Sequence, residues 1–283
     1  MSTVKTIKPD MAETFQTVGC LKLVNGLFSS SGVDVVVERE ISVYLNGCHL
    51  ATASINPGME REFAMGYLFT QGFIDSPGEL ESLEIRENAA RAILKDRGRL
   101  PDITESGHYV VSGGGKAARA GNTSYPVVRT DLKISKTAVF TAMNRLFQAA
   151  ELYQATEGVH GAGLFSVEAS PVCTVEDIGR HNCLDKLTGY ALMQGIDCSR
   201  TFLVTTGRIT SEMVAKICRA GIPVAATKTA VTDKGLETAR RYGVTVIGFV
   251  RDAGSRINTN METRTITKAG MKIYTNARRI ENR

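Results

Sequence analysis

Between residues 177 and 250 the chain alternates strand and helix patterns with almost no other material, and few folds accommodate that. An apolar strand arrives at Val175. A helical pattern over 182–194 follows, with Leu184, Leu187, Thr188, Ala191 and Leu192 at three- and four-residue spacing. Strand 201–205, helix 211–220, strand 223–226, helix 233–242 and strand 244–250 complete the series. Gly195, Gly221 and Gly243 stand where helices stop in left-handed backbone. Asn182 is expected to cap the first of these helices, and Asp185 to put negative charge in its first turn. Strands alternating with helices predict right-handed crossovers, a largely parallel sheet and an α/β class.

The first half reads differently. Residues 17–53 are β-like, with runs at 33–37 and 41–45. Asn46-Gly47 is a hairpin turn, followed by a strand at 48–54. Residues 59–71 predict a helix with Phe63, Met65, Leu68 and Phe69 inward, stopped by Gly72. A strand is expected at 85–95. Residues 98–124 are rich in Gly, Arg, Ser and Asn. They include Ser112-Gly113-Gly114-Gly115-Lys116, a glycine-rich loop without Walker spacing. A helix over 137–153 and strands near 163–167 and 172–175 lead into the alternating half. The resulting division has a flexible N-terminus (1–16) and a smaller α+β domain (17–135) with a mobile loop near 111–123. The α/β domain is 136–283, its tail supplying an edge strand and a basic end.

Composition narrows the function classes. Six cysteines lie at 20, 48, 173, 183, 198 and 218 without a C-x-x-C pair. This fits a reducing compartment, and most of these thiols are expected to be buried. No run is apolar enough to span a bilayer, and residues 1–10 lack a signal core, so a cytoplasmic location and no membrane association are expected. The net charge of +5 suggests an anionic partner. With no Trp there is little base-stacking capacity, and nucleic acid is not the expected partner. The four His and six Cys show no zinc spacing, so no metal site is expected, and no G-x-S-x-G element supports a serine nucleophile.

Ligands of open α/β sheets bind beyond the carboxyl ends of the strands. That edge is uniform here. One strand ends in Thr206-Gly207-Arg208-Ile209-Thr210-Ser211, the next in Thr227-Lys228-Thr229, the last in Arg251-Asp252-Ala253-Gly254-Ser255-Arg256. Glu176, Asp177, Arg180 and His181 come from the preceding loop. Hydroxyls, glycines and cations beside helix N-termini suit phosphate oxygens. The residues therefore predict a site for a phosphorylated, nucleotide-like ligand. The 176–181 loop reads alternatively as a salt-bridged connection, and His160, set among glycines, as a hydrogen-bonded ring or a functional one.

The stretch Glu176-Asp-Ile-Gly-Arg-His-Asn-Cys-Leu-Asp-Lys-Leu187 closely resembles the signature of the FdhD/NarQ family. These accessory proteins carry sulfur to the molybdenum cofactor of formate dehydrogenase. The resemblance extends to Ile41–Gly47, Pro57–Gly66, Gly158–Ala162, Gly207-Arg208, Ser211–Lys216 and Gly248–Arg251. It implies a cytidine-deaminase-like three-layer α-β-α domain beside a smaller N-terminal α+β domain, and a homodimer. It also implies binding of molybdopterin guanine dinucleotide (Mo-bis-MGD), or a GDP-like guanine nucleotide. The family's cofactor segment falls on Phe249, Val250, Arg251, Asp252, Ala253 and Gly254, with Arg256 close by. Together with the strand-end reading, the expected binding residues also include His160, Arg180, His181, Gly207, Arg208 and Ser211. Implied partners are formate dehydrogenase and a cysteine desulfurase. The family's loop carries a C-x-x-C whose cysteine accepts sulfur as a persulfide. The corresponding Val111–Lys116 has no cysteine. Two readings follow: a sulfurtransferase routed through Cys183 or Cys173, if either is exposed, or a cofactor-binding chaperone without transfer. An unrelated nucleotide-binding regulator is a third.

Overall fold

In the computed structural model, which describes residues 13–96, 125–251 and 269–282, the chain opens with a long hairpin of β1 (Phe15–Val24) and β2 (Leu27–Val36). Residues 15 and 16, expected in a flexible lead-in, already belong to β1. Asn25 and Gly26 turn this hairpin with φ of 50° and 81°. Asn46 and Gly47 repeat the device (49° and 82°) between β3 (Arg39–Leu45) and β4 (Cys48–Ile55). Both are the left-handed pairs that a two-residue hairpin demands. Helix α1 (Glu60–Thr70) then leads to β5 (Leu80–Arg86) and β6 (Ala89–Leu94). The single strand expected at 85–95 is thus the end of one strand and all of the next. Glu87, at φ 53°, makes the turn in place of a glycine, which hid it from the sequence. These strands form a sheet in the order β4-β3-β6-β5, and Phe63 and Leu68 of α1 pack on Ile41, Val43 and Ala90.

The second half begins with β7 (Ile134–Ser135), α2 (Lys136–Ala149) and α3 (Glu151–Thr156). One helix was expected here. The break at Ala150 (ψ 69°) starts a new one, whose Leu152 and Tyr153 amides donate to the Glu176 carboxylate at 3.0 and 2.8 Å. Next come β8 (His160–Phe165), β9 (Pro171–Asp177), α4 (Arg180–Met193), β10 (Phe202–Thr205), α5 (Ser211–Arg219) and β11 (Val224–Thr227). Helix α6 (Asp233–Tyr242), β12 (Thr245–Arg251), β13 (Gly270–Ile273) and β14 (Ile280–Glu281) finish the chain, β14 pairing with β7.

The main sheet runs β13-β12-β11-β10-β8-β9. Strands β10, β11 and β12 are parallel neighbours, but β8 is antiparallel to both β9 and β10, and β13 to β12. The sheet is therefore mixed, not largely parallel. β9 points the same way as β10, yet its hairpin partner β8 occupies the place between them, and α4 crosses over it. Helix α2 covers one face through Val139, Met143 and Leu146. Helices α4, α5 and α6 cover the other through Leu184, Leu187, Val214, Ile217 and Ala239. Three layers result.

Helix α4 departs most from expectation. It was predicted as amphipathic from Asn182; it starts at Arg180, and every residue from Asn182 to Ala191 is buried. The sheet covers one side and α1 lies on the other, so no polar face is left. A helix buried all round carries no periodic signal of its own.

Candidate functional site

The 176–187 segment divides into residues that join the two halves and residues that face outward. Asp177, fully buried, accepts hydrogen bonds from the amides of Asn56 (3.1 Å) and Gly179 (3.0 Å) and from Asn182 Nδ2 (2.8 Å). It pairs with Lys186 Nζ at 2.7 Å, and that ammonium also donates to Asn56 O. Asn182 is not the expected cap, which is Gly179; its amide bridges Asp177 and Ser54 O. Asp185 is not a first-turn surface acid either. It is buried against Lys216 Nζ and the Thr70 hydroxyl. Burial pushes its carboxyl up, while Lys216 and Thr70 pull it back. Four of the signature's polar residues thus fasten the second half of the chain to the first, and in the loop itself Asp177 fits the salt-bridged alternative. Each is satisfied, as a buried charge must be.

Arg180 and His181 open α4 at the carboxyl edge of the main sheet. The Arg180 side chain lies against Gly207: a Cβ built at 207 would sit 2.6 Å from Arg180 Cβ. Glycine there lets the guanidinium stem cross the strand end. Arg180 and Arg208 are close enough to repel, and burial together with Arg208 lowers the Arg180 pKa. Arg180 Nε is buried without a hydrogen-bond partner among the described residues. His160 belongs to the same group. Burial first, then Arg180, hold its imidazole below its ordinary range of 6.5, with Arg208 adding to this and Asp177 opposing it. Its Nδ1 lies 3.5 Å from Thr206 Oγ1, which accepts from the Gly161 amide at 3.0 Å. His181 Nε2 stands 3.7 Å from Glu212 Oε2 at the start of α5. Ser211 is the first residue of α5, whose cap is Thr210.

A lattice of threonines fixes this edge. Thr205 Oγ1 accepts from the Gly207 amide, and Thr227 Oγ1 donates to Gly207 O at 2.6 Å. Thr229 Oγ1 donates to Thr206 O at 3.2 Å, and the Phe249 amide reaches Thr229 O at 3.0 Å. The ends of β8, β10, β11 and β12 are therefore cross-tied in sequence along the edge. Sequence reasoning placed these threonines at strand ends but not in the site. Their signal was the hydroxyl-rich runs themselves.

Beyond the lattice lies a second group. Phe249 has φ 55° and sits at a register shift between β12 and β13. A bulge there re-aims the side chain. Its ring is flanked by Lys272 Nζ (4.7 Å from the centroid) and the Arg251 guanidinium (5.9 Å). Lys228 Nζ stands 4.3 Å from the Phe147 ring centroid, and burial followed by Arg251 pushes its ammonium below the usual range. Val250 is buried in the core and contributes backbone only. Lys228 was read among the strand-end cations, whereas Lys272 and Phe147 were missed from the sequence. Asp252, Ala253, Gly254, Arg256 and the loop near 111–123 lie outside the described residues.

The expected cations thus share one sheet edge in two groups, Arg180–Arg208–His160 at β10 and Lys228–Arg251 at β11–β12. Concentrated positive charge suits an anion. The thiols offer little chemistry. Cys173, Cys183 and Cys218 are buried, and burial pushes Cys173, Cys198 and Cys218 up to about 12 and Cys183 well above its ordinary value. A neutral, enclosed thiol is a poor nucleophile. The expected sulfur route through Cys183 or Cys173 is corrected accordingly. Among the described residues no cluster of His, Cys, Asp and Glu could hold a metal ion, and no helix is long and apolar enough to cross a membrane.

Comparison with known proteins covers nearly all of this framework. A model described as the FdhD/NarQ family matches residues 36–281. The chain is 32% identical to the Sulfur carrier protein FdhD of Wolinella succinogenes over 80% of its length and 81% of that protein. It is 32% identical to the Sulfur carrier protein FdhD of Methanothermobacter thermautotrophicus, covering 79% of this chain and 88% of that one. A crystal structure of a proposed formate dehydrogenase accessory protein from Desulfotalea psychrophila superposes with a TM-score of 0.73. It covers 95% of this chain and 100% of that one at 21% identity, and so supports the α/β fold.

Proposed function

The chain belongs to the FdhD/NarQ family, and from that footing we propose that it is an accessory protein of formate dehydrogenase maturation. Its task is to hold the guanine-nucleotide part of molybdopterin guanine dinucleotide, with the diphosphate at the end of β10. The observation that carries this reading is the close pair Arg180 and Arg208, opposed only in part by Glu212. Two guanidinium groups repel one another there, and a buried Nε lacks an acceptor. Both deficits are met by phosphate oxygens, which accept bidentate guanidinium bonds. The donor set thus fits the group chemically. Thr206 steers the His160 ring, and the threonine lattice keeps the strand ends from rearranging when the anion binds. The cofactor is cargo here, and its chemistry is done in the enzyme that receives it.

Two of the relatives are named sulfur carriers, but we read this chain as a cofactor-holding chaperone rather than a thiol carrier. No cysteine occurs between residues 48 and 173, and the thiols at 173, 183, 198 and 218 are all held neutral. A second reading, transfer through another cysteine, is left by burial to Cys20, Cys48 or Cys198, and burial holds the Cys198 thiol up at about 12. A cysteine desulfurase is a partner only under that second reading. A cytoplasmic homodimer is the assembly that the family resemblance supports.

Calorimetric titration of GDP tests the proposal. Binding to the parent chain, weakened about tenfold or more by Arg208→Gln through loss of a charge-assisted contact, is the expected result. No binding, or equal affinity in the variant, overturns it.

A further inference from the structure

The β1–β2 hairpin is anchored at one end. At its base the Val37 amide donates to Thr14 O at 2.9 Å, and Asn56 Nδ2 donates to both Thr14 O and Val37 O. The base also packs, since a Cβ built on Gly158 would lie 3.0 Å from Val36 Cγ1. From there ten paired rungs run without a register shift to the Asn25-Gly26 turn. That is a reach of about 33 Å. Among the described residues no third strand pairs with either edge. A two-stranded ribbon standing alone is marginal in water.

Its far end is apolar on both faces. Side chains alternate along a strand, so Leu21, Leu23 and Phe28 share one face and Val24, Leu27 and Val33 the other. Their exposure runs from 41% at Val33 to 75% at Leu27. Together the six present on the order of 650 Å² of surface, close to the ~800 Å² that each partner gives to a stable interface. Charge is sparse: between Phe15 and Val36 the only Lys, Arg, Asp or Glu are Lys22 and Asp34, and Asp34 accepts from Thr17 Oγ1 at 2.6 Å. On a chain of net charge +5, a neutral arm is the place where two copies can meet without repulsion. An arm built for an anionic bilayer would be basic, and hydrocarbon would leave the strand edges and the turn without hydrogen-bond partners.

Free strand edges are ordinarily blunted by Lys, Pro or a bulge. From Leu27 to Val33, β2 has none of these. Instead the run Leu27-Phe28-Ser29-Ser30-Ser31-Gly32-Val33 is self-complementary about Ser30. Identical edges related by a two-fold axis pair antiparallel. With Ser30 on the axis, Leu27 faces Val33 of the second copy, Phe28 faces Gly32 and Ser29 faces Ser31. An aromatic ring beside a cross-strand glycine and a Leu–Val pair are both favourable neighbours.

Resting on the homodimer that the family resemblance supports, we propose that its contact is this arm: the β2 edge pairs with the β2 edge of a second copy about Ser30. The two hairpins then form one four-stranded sheet, and the apolar tips are covered.

Sedimentation equilibrium of the full chain tests this. The parent chain is expected at the dimer mass. Phe28→Lys, which sets a charge against Gly32 of the other copy, is expected at the monomer mass with an unchanged circular dichroism spectrum. Ser30→Cys places a thiol opposite its own copy and is expected to cross-link the dimer on mild oxidation, beyond any cross-link in the parent chain. A monomeric parent chain overturns both the contact and the homodimer. A dimer that survives Phe28→Lys, or one that Ser30→Cys does not cross-link, overturns this contact and leaves the homodimer standing. A monomer that sediments with phosphatidylglycerol vesicles assigns the tip to a bilayer and overturns the contact as well.

Discussion

Gly66 of α1 and Gly189 of α4 meet backbone to backbone. A Cβ built on Gly66 would lie 1.9 Å from Asp185 O, and one on Gly189 would lie 1.8 Å from Glu62 O. The two helices cross where neither has a side chain, and this contact seats the first half of the chain on the second. On helix propensity alone, Gly→Ala would stabilise by about 1 kcal/mol. Here the clash is with main-chain atoms that cannot rotate away. Gly66→Ala and Gly189→Ala should each cost about 3 kcal/mol or more, or prevent folding. Urea denaturation, read against Gly195→Ala as a strained but open control, checks this.

Asp177 and Lys186 hold the same junction by charge. Removing one partner of a buried pair strands the other, so Asp177→Asn or Lys186→Met should destabilise by about 3–5 kcal/mol. The double variant should cost clearly less than the sum of the two. Additive losses in a double-mutant cycle would mean that the pair contributes no coupling.

The thiols give a chemical test. Maleimide labelling of the native chain near neutral pH should modify Cys20 and Cys48 and spare Cys173, Cys183 and Cys218, whose burial keeps them neutral. After incubation with a cysteine desulfurase and cysteine, no persulfide should be found on the three buried cysteines. A persulfide on Cys183 would return the transfer route that its burial argues against.

His160 sets a pH dependence. Its folded-state pKa lies below 6.5, so the unfolded chain takes up its proton first as pH falls. This contribution to stability is complete above pH 6.5 and is lost as pH drops toward the folded pKa. Ligand affinity moves the other way. An anion that neutralises Arg180 and Arg208 raises the His160 pKa, so binding draws in a proton and tightens as pH falls below neutrality. Titrations of GDP at several pH values, compared with His160→Asn, separate this from titration of the ligand's own phosphate. The variant should lose part of the slope.

Much of this was legible in the sequence, and the parts that were not share a cause. Residues 233–242 were assigned as α6 to the residue, because a polar outer face and Gly243 mark both its period and its end. The Asn46-Gly47 turn was equally plain. Helix α4 was misread at its start because Asn182 looks like a cap and is instead an interdomain bridge. That role depends on Ser54, more than a hundred residues away. The expectation of a largely parallel sheet failed for a similar reason: nothing local says that β8 will take the place beside β10. In the site, Arg180, Arg208 and Arg251 were found from residue type at strand ends. The partition into two groups was hidden, since it follows from which face each side chain takes. Lys228 was read as a strand-end cation, but its packing on Phe147 was not, because that partner lies on a helix about eighty residues earlier.

The most direct test is a crystal structure of the chain with GDP. The diphosphate is predicted to lie within hydrogen-bonding distance of the Arg180 and Arg208 guanidinium groups, with Arg180 Nε acquiring its missing acceptor. A diphosphate bound elsewhere on the molecule, with Arg180 Nε still unpartnered, would contradict the proposed site.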